Sequence, residues 1–191
     1  MTALILNLSP TIELTDEQFF QLCQNNRDLR LERTVEGELI IMPPTGWESG
    51  NRNSRLTQRL GNWADADGTG LAFDSSTGFK LPNGANRSPD ASWVSRERLE
   101  ALNPDPDKFL PIAPDFTVEL RSASDNLKTV QQKMQEYIDN GVRLGWLIDP
   151  QKQQVEIYRP GQDVEVLQSP TSLSGEDVLA GFVLDLVQIL S

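Results

Sequence analysis

Two acidic residues, each beside or within a largely apolar segment, could bind a divalent cation through their carboxylates. Asp90 opens the segment Asp-Ala-Ser-Trp-Val, and Glu119 lies near the end of the segment Asp-Phe-Thr-Val-Glu-Leu. Both segments are rich in the β-branched and aromatic residues that favour strands. We therefore expect neighbouring strands to bring Asp90 and Glu119 together as oxygen ligands.

The composition excludes several other kinds of catalytic centre. The chain has no histidine and a single cysteine, Cys23. Ser-His-Asp and Cys-His catalysis, histidine-ligated zinc, zinc ribbons and iron–sulfur clusters are therefore excluded in their usual forms. Oxygen ligands remain, and they suit Mg²⁺ or Mn²⁺, which bind one or two carboxylates together with water and substrate phosphate.

Both carboxylates also have structural alternatives. Asp90 follows a proline, a setting in which an acidic residue commonly forms a turn at a strand end. Glu119 lies inside an apolar segment, where a carboxylate needs a partner or a metal ion, and an ion pair with Arg121 would supply one.

A helix predicted over residues 47–66 carries Glu48 in its first turn. Glu48 is expected to lie near three arginines at helical spacing, namely Arg52, Arg55 and Arg59. These arginines fit a solvated face as well as a phosphate-binding ridge. The helix dipole alone would also favour an acidic residue at position 48.

A second helix is predicted from a cap at Ser124 or Asp125 to about Asn140. Lys133 lies at the edge of its apolar face, from which the amine can point toward the carboxylates. The structural alternative is a lysine that lays its stem over the core while its amine stays in water.

The order of the predicted elements indicates an α/β fold. A strand, a helix and a strand between residues 115 and 148 predict a right-handed crossover that joins parallel strands. A capping box at Thr15 and Gln18 opens a helix, and Glu36-Gly37 is the turn of a hairpin. We therefore expect a central mixed sheet with helices on both faces, in three α/β/α layers, plus the N-terminal helix and hairpin.

The length of 191 residues and the 38% of hydrophobic residues favour one domain. We divide it into the N-terminal helix and hairpin (1–42), a core (43–160) and a C-terminal extension (161–191). No apolar stretch approaches the ~20 residues that cross a bilayer, and one cysteine allows no internal disulfide. These features predict a cytoplasmic protein with no membrane partner. The four tryptophans are predicted to be core or interface residues.

The order and spacing of these motifs resemble the PD-(D/E)XK nuclease superfamily, and more closely its Uma2 family, formerly a domain of unknown function. The resemblance covers most of the chain. It rests on residues 43–48, 87–90, 114–119, 122–125, 133–137, 146–150 and 181–182.

This resemblance implies a restriction-endonuclease-like core in which Asp90 and Glu119 bind Mg²⁺ or Mn²⁺. The backbone carbonyl of Leu120 would be a further metal ligand, and Glu48 would be the acidic residue that a helix contributes to such sites. The implied reaction is hydrolysis of DNA phosphodiester bonds by a metal-dependent endonuclease.

Arg121 stands where the superfamily signature has lysine. Arginine can clamp a phosphate or stabilise a developing oxyanion, but it does not readily give up a proton. Lys133 is the expected substitute, and either Lys133 or Arg121 would steady the charge of the transition state.

The net charge of −11 opposes nonspecific coating of nucleic acid. Most of it comes from the flanks, however, because residues 41–148 carry 14 acidic and 12 basic side chains. The charge and Arg121 favour an alternative, a catalytically inactive nuclease-fold protein that binds nucleic acid or protein.

A third hypothesis is a homodimer formed through an edge strand or the apolar segment from Val183 to Leu190. Such a dimer would also suit an enzyme that cuts both DNA strands.

Overall fold

Two large sheets and five helices form the structure of residues 3–190, which the computed structural model describes. The helices are α1 (Asp16–Asn25), α2 (Trp47–Asp67), α3 (Arg96–Leu102), α4 (Leu127–Asp139) and α5 (Val187–Leu190). The strands are β1 (Leu4–Leu6), β2 (Arg30–Arg33), β3 (Leu39–Met42), β4 (Gly70–Asp74), β5 (Phe79–Lys80), β6 (Asn86–Arg87), β7 (Ala91–Ser95), β8 (Phe116–Leu120), β9 (Leu144–Asp149), β10 (Gln154–Tyr158), β11 (Glu165–Gln168), β12 (Ser172–Ser174) and β13 (Val183–Asp185).

The central sheet has six strands in the order β11-β10-β9-β8-β7-β4. Only β8 and β9 run parallel, and α4 connects them, as the crossover prediction required. Every residue of β8 and β9 is buried, which is typical of strands covered on both faces. The predicted mixed sheet is therefore confirmed.

Helices cover both faces of this sheet. Leu56 and Leu60 of α2 share one apolar cluster with Trp146 of β9, whereas Met134 of α4 shares another with Leu147 of the same strand. Successive residues of a strand point to opposite faces. Helices α2 and α4 therefore form the outer layers of the predicted α/β/α arrangement.

The predicted hairpin forms the middle of a separate five-stranded antiparallel sheet. Strand β2 pairs with β3 on one side and with the short β6 on the other, where Arg33 lies opposite Asn86. A short strand was expected from the sequence around residues 78–81, where β5 lies, whereas the two-residue β6 carries no periodic pattern and was missed. Their pairing places β2 beside the segment that leads to Asp90.

The C-terminal residues are part of the core. Strand β11 extends the central sheet at its edge. Leu184, Leu186 and Ile189 are fully buried in the cluster beneath α2, whereas Val183 and Val187 are exposed. Most of the apolar segment that was considered for a dimer contact is therefore used within the chain.

Most helix ends follow their predicted signals. Thr15 forms the capping box of α1, and α4 is followed by Gly141, which adopts a φ of 101°. The cap of α4 is Asn126, which accepts from two backbone amides, so the prediction of Ser124 or Asp125 was wrong. Asp125 instead accepts from the amide of Ser122 and closes the preceding loop.

Two further findings concern the surface. Trp47 is 84% exposed and is not a core residue, in contrast to the buried Trp93 and Trp146. Among the helices of residues 3–190, none is both long enough and apolar enough to span a membrane.

The packing of the C-terminal segment leads to a stability prediction. Leu184→Ala is expected to lower the free energy of unfolding by about 2–5 kcal/mol, because it leaves a cavity in the core. Val183→Ala, at the exposed neighbouring position, is expected to change it by about 0.5 kcal/mol or less. Urea unfolding followed by circular dichroism measures both, and equal effects would contradict this account of the core.

Candidate active site

Asp90 directly precedes β7, and Glu119 lies in β8, the antiparallel neighbour of β7. Ala91 of β7 pairs with Val118 of β8, so the register brings Asp90 close to Glu119 along the sheet. Asp90 Oδ2 also accepts a hydrogen bond from the amide of Leu120 at 2.9 Å, which fixes this carboxylate at the end of β8.

Glu119 is buried on the α4 side of the sheet and contacts two residues of that helix. Glu119 Oε1 accepts from the Tyr137 hydroxyl at 2.9 Å and lies 2.9 Å from Lys133 Nζ. Burial raises the pKa of Glu119 to about 7. The charges of Asp90 and Glu32 act in the same direction, while Lys133 opposes them.

Asp90 is also costly to ionise. Burial raises the pKa of Asp90, against the hydrogen bond from Leu120 and the positive charges of Lys133 and Arg30. Two neighbouring carboxylates with raised pKa values lack full hydration, and the charge of Asp90 adds to the raised pKa of Glu119. A bound cation would relieve both penalties.

Lys133 is held between two carboxylates. Lys133 Nζ lies 2.8 Å from Oε1 of Glu32, a buried residue of β2, and 2.9 Å from Oε1 of Glu119. Although burial opposes ionisation, Glu119 and Glu32 raise the pKa of Lys133. Lys133 therefore carries its proton at neutral pH.

Glu32 has two further partners, the amide of Ser88 and the guanidinium of Arg87. Glu32 accepts from the amide of Ser88 at 3.0 Å and from Arg87 at 3.2 Å, and Arg87 binds Glu136 at 2.6 Å. Although burial alone would raise it, the pKa of Glu32 is lowered by the charges of Lys133 and Arg87. Sequence reasoning missed Glu32, since nothing in the local pattern of β2 reveals which sheet edge it joins.

Arg121 lies away from the carboxylates. The Arg121 guanidinium pairs with buried Asp149 at 2.8 Å and donates to the carbonyl of Asp125. The alternative ion pair between Glu119 and Arg121 is not formed in the described chain, where Glu119 pairs with Lys133. Arg121 joins the ends of β8 and β9 to the loop before α4.

Glu48 points toward solvent, and Asn53 is the residue of α2 that contacts Asp90. The Glu48 side chain is 59% exposed and pairs with Arg52 at 3.0 Å. Asn53 Nδ2 lies 3.4 Å from Asp90 Oδ1. Asn53 precedes the buried Leu56 by three residues, so the phase of the apolar stripe is the signal that would have indicated it.

The other two arginines of α2 do not form an isolated phosphate-binding ridge. Arg55 donates to Asn51 and to Gln188, and Arg59 donates to the carbonyl of Asp185. Both side chains therefore connect α2 to the C-terminal segment.

The oxygen donors fit a hydrated hard cation. Within residues 3–190, no three Asp, Glu or Cys side chains are grouped as metal ligands. Asn53 Oδ1 is buried and has no hydrogen-bond partner among the described residues, although its own amide nitrogen lies beside Asp90. Two carboxylates and an unpaired amide oxygen match an ion such as Mg²⁺, which keeps several waters in its coordination shell.

The mixed sheet and its two helical layers form a restriction-endonuclease-like fold. A solved structure with this fold is "a putative nuclease belonging to DUF820" from Anabaena variabilis ATCC 29413. It matches with a TM-score of 0.78 and 22% identity, over 93% of this chain and 97% of that chain. No curated protein matches the sequence.

The family follows from the sequence match. Residues 16–187 match the model of the Uma2 family, which is described as "Putative restriction endonuclease". The chain therefore belongs to the Uma2 family.

The raised pKa of Glu119 leads to a prediction about stability without metal. The folded protein holds a proton on Glu119 up to a pH of about 7, whereas the unfolded chain releases it near 4.5. The contribution of Glu119 to folding therefore becomes less favourable as pH rises from about 4.5 to 7, by on the order of 1.4 kcal/mol for each unit of pKa shift. Glu119→Gln removes this contribution.

Urea unfolding in EDTA at pH 5 and pH 8 measures the effect. We expect the wild type to lose more stability between these pH values than Glu119→Gln does. Glu100→Gln, an exposed acidic position, is the control and should behave as the wild type. An identical pH dependence in Glu119→Gln and wild type would contradict the assignment.

Proposed function

We propose that this Uma2 protein is a metal-dependent endonuclease that hydrolyses DNA phosphodiester bonds. The observation that carries the proposal is the pair of neighbouring carboxylates, partly buried Asp90 and buried Glu119, with a protonated lysine 2.9 Å from Glu119. Membership of a family described as restriction endonucleases supports the nuclease class.

Asp90 and Glu119 would hold the metal ion, Mg²⁺ or Mn²⁺. The carbonyl of Leu120 and the buried oxygen of Asn53 would complete the protein's donors, directly or through water. When bound, such an ion activates a water molecule and polarises the scissile phosphate.

Lys133 would act as a fixed positive charge toward the phosphate. A lysine that keeps its proton is a poor general base, but its ammonium stabilises the negative charge that develops during hydrolysis. Arg121 is the weaker candidate for this role, because its guanidinium is engaged by Asp149. Arg30 is exposed and close enough to lower the pKa of Asp90, so it would face an incoming phosphate at the rim.

A homodimer would present one site to each strand of a duplex. Strand β1 lies at the edge of the five-stranded sheet, and its side chains Leu4, Ile5 and Leu6 are exposed. This edge is a more accessible contact than the C-terminal segment, which is largely buried.

The second candidate function is a nuclease-fold protein that binds nucleic acid or protein without catalysis. Arg121 favours this candidate. It stands at the signature lysine position, but its guanidinium forms a structural ion pair with Asp149. The net charge of −11 also weakens the attraction of a polyanion.

Cleavage of nucleic acid by purified protein separates the two candidates. With Mg²⁺ or Mn²⁺ we expect the wild type to cut DNA and both Asp90→Ala and Glu119→Ala to lose roughly 100-fold or more of the rate, because each removes a metal ligand. Plasmid, linear duplex, single-stranded DNA and RNA should be compared at matched concentrations. The rates are measured by gel electrophoresis of end-labelled substrates.

Glu100→Ala is the matched control, because it removes an exposed carboxylate from α3. We expect it to cleave as the wild type does. Unchanged cleavage by Asp90→Ala or Glu119→Ala would refute the proposed site. Binding without cleavage by the wild type would favour the second candidate.

A further inference from the structure

The ammonium of Lys133 is shared by carboxylates from two different sheets. Glu119 belongs to the central sheet, and Glu32 belongs to β2 of the N-terminal sheet, 101 residues before Lys133. The two contacts have nearly equal lengths, 2.8 Å to Glu32 and 2.9 Å to Glu119. Two ion pairs, one to each carboxylate, therefore hold the Lys133 ammonium in place.

A lysine needs such a second contact to hold one position. Its long, flexible stem loses rotamer entropy when it is held in one position, and its ammonium carries three rotatable donors. If Glu119 were its only partner, Lys133 would neutralise the carboxylate that a metal ion requires. Glu32 supplies a second negative charge, so the ammonium can stay in place when Glu119 turns to another cation.

Glu32 is itself immobilised by the segment that carries Asp90. Its Oε1 accepts from the amide of Ser88, two residues before Asp90, and its Oε2 accepts from Arg87. The Glu32 side chain is 3% exposed, so water does not compete for these bonds. One buried carboxylate thus connects the lysine on α4 to the chain on which Asp90 lies.

This charged cluster is poorly explained by stability alone. Burying ions is costly, and apolar side chains of similar volume commonly stabilise a core as well or better. A cluster that fixes a cation beside two carboxylates has a clear use at a site that must receive a phosphate. We propose that Glu32 is a positioning residue that holds Lys133 in front of the Asp90–Glu119 pair, an inference that rests on the proposed nuclease function.

A double-mutant cycle tests whether Glu32 acts through Lys133. Glu32→Gln keeps the size of the side chain and an oxygen for the Ser88 amide but removes the charge. We expect it to lower kcat for DNA cleavage about 10- to 100-fold, with the KM for DNA changed less than about twofold. In a Lys133→Met background, Glu32→Gln should have no further effect on kcat, and both rates are measured at saturating Mn²⁺, because the loss of Glu32 lets Lys133 compete with the metal ion for Glu119.

Glu136→Gln is the matched control within the same cluster. Glu136 binds Arg87, as Glu32 does, but it has no ion pair with Lys133 among the described residues. We expect Glu136→Gln to change kcat less than about threefold. Equal losses in Glu136→Gln and Glu32→Gln, or an undiminished effect of Glu32→Gln in the Lys133→Met background, would overturn the proposal.

A second readout does not depend on activity. In metal-free, ¹⁵N-lysine-labelled protein, the ammonium protons of Lys133 should exchange slowly and give a ¹⁵Nζ–¹H signal, assigned by its loss in Lys133→Met. We expect Glu32→Gln to broaden or remove this signal and Glu136→Gln to retain it. An unchanged signal in Glu32→Gln would overturn the proposal.

The two readouts also separate the inference from the function on which it rests. If the wild type cleaves no nucleic acid under any condition, the proposed function fails. The spectrum then still decides whether Glu32 holds Lys133.

Discussion

The loss of hydration at two neighbouring carboxylates is the constraint on which this site depends. The register of β7 and β8 brings Asp90 and Glu119 close together, and burial raises the pKa of both. Without a cation the folded protein carries this as a cost, which Lys133 offsets only in part. A protein that retains such a cost at the end of a buried strand has an arrangement well suited to bind a metal ion.

The five-stranded N-terminal sheet contributes one of the charges at this site. Strand β2 carries Glu32, which forms an ion pair with the Lys133 ammonium. The pairing of Arg33 with Asn86 aligns β2 with the segment before Asp90. The N-terminal elements therefore contribute to the charged cluster as well as to the fold. In the same way, the C-terminal residues fill the core beneath α2 and are tied to its arginines.

The sequence predicted the features that depend on local patterns. The capping box of α1 and the crossover between β8 and β9 both followed from short segments whose periodicity or flanking residues were clear. Lys133 was placed correctly at the edge of an apolar helical face. Its role in catalysis stays a prediction.

The features that sequence reasoning missed depend on tertiary contacts or on a choice between adjacent residues. Glu32 has no local signal, because strands β5 and β6 that position β2 are only two residues long. Asn126 caps α4 in place of the predicted Ser124 or Asp125, and the choice between such adjacent residues depends on the fold. Glu48 was favoured for its charge, whereas the phase of α2 brings the neutral Asn53 to Asp90.

Calorimetric titration of Mn²⁺ into the metal-free protein at pH 8 tests the central claim most directly, because this pH lies above the pKa of about 7 for Glu119. We expect one site in the wild type, and loss of that site in both Asp90→Asn and Glu119→Gln, while Glu100→Gln binds normally. Equal Mn²⁺ binding by the wild type and either carboxylate variant would show that these two side chains do not hold a metal ion together.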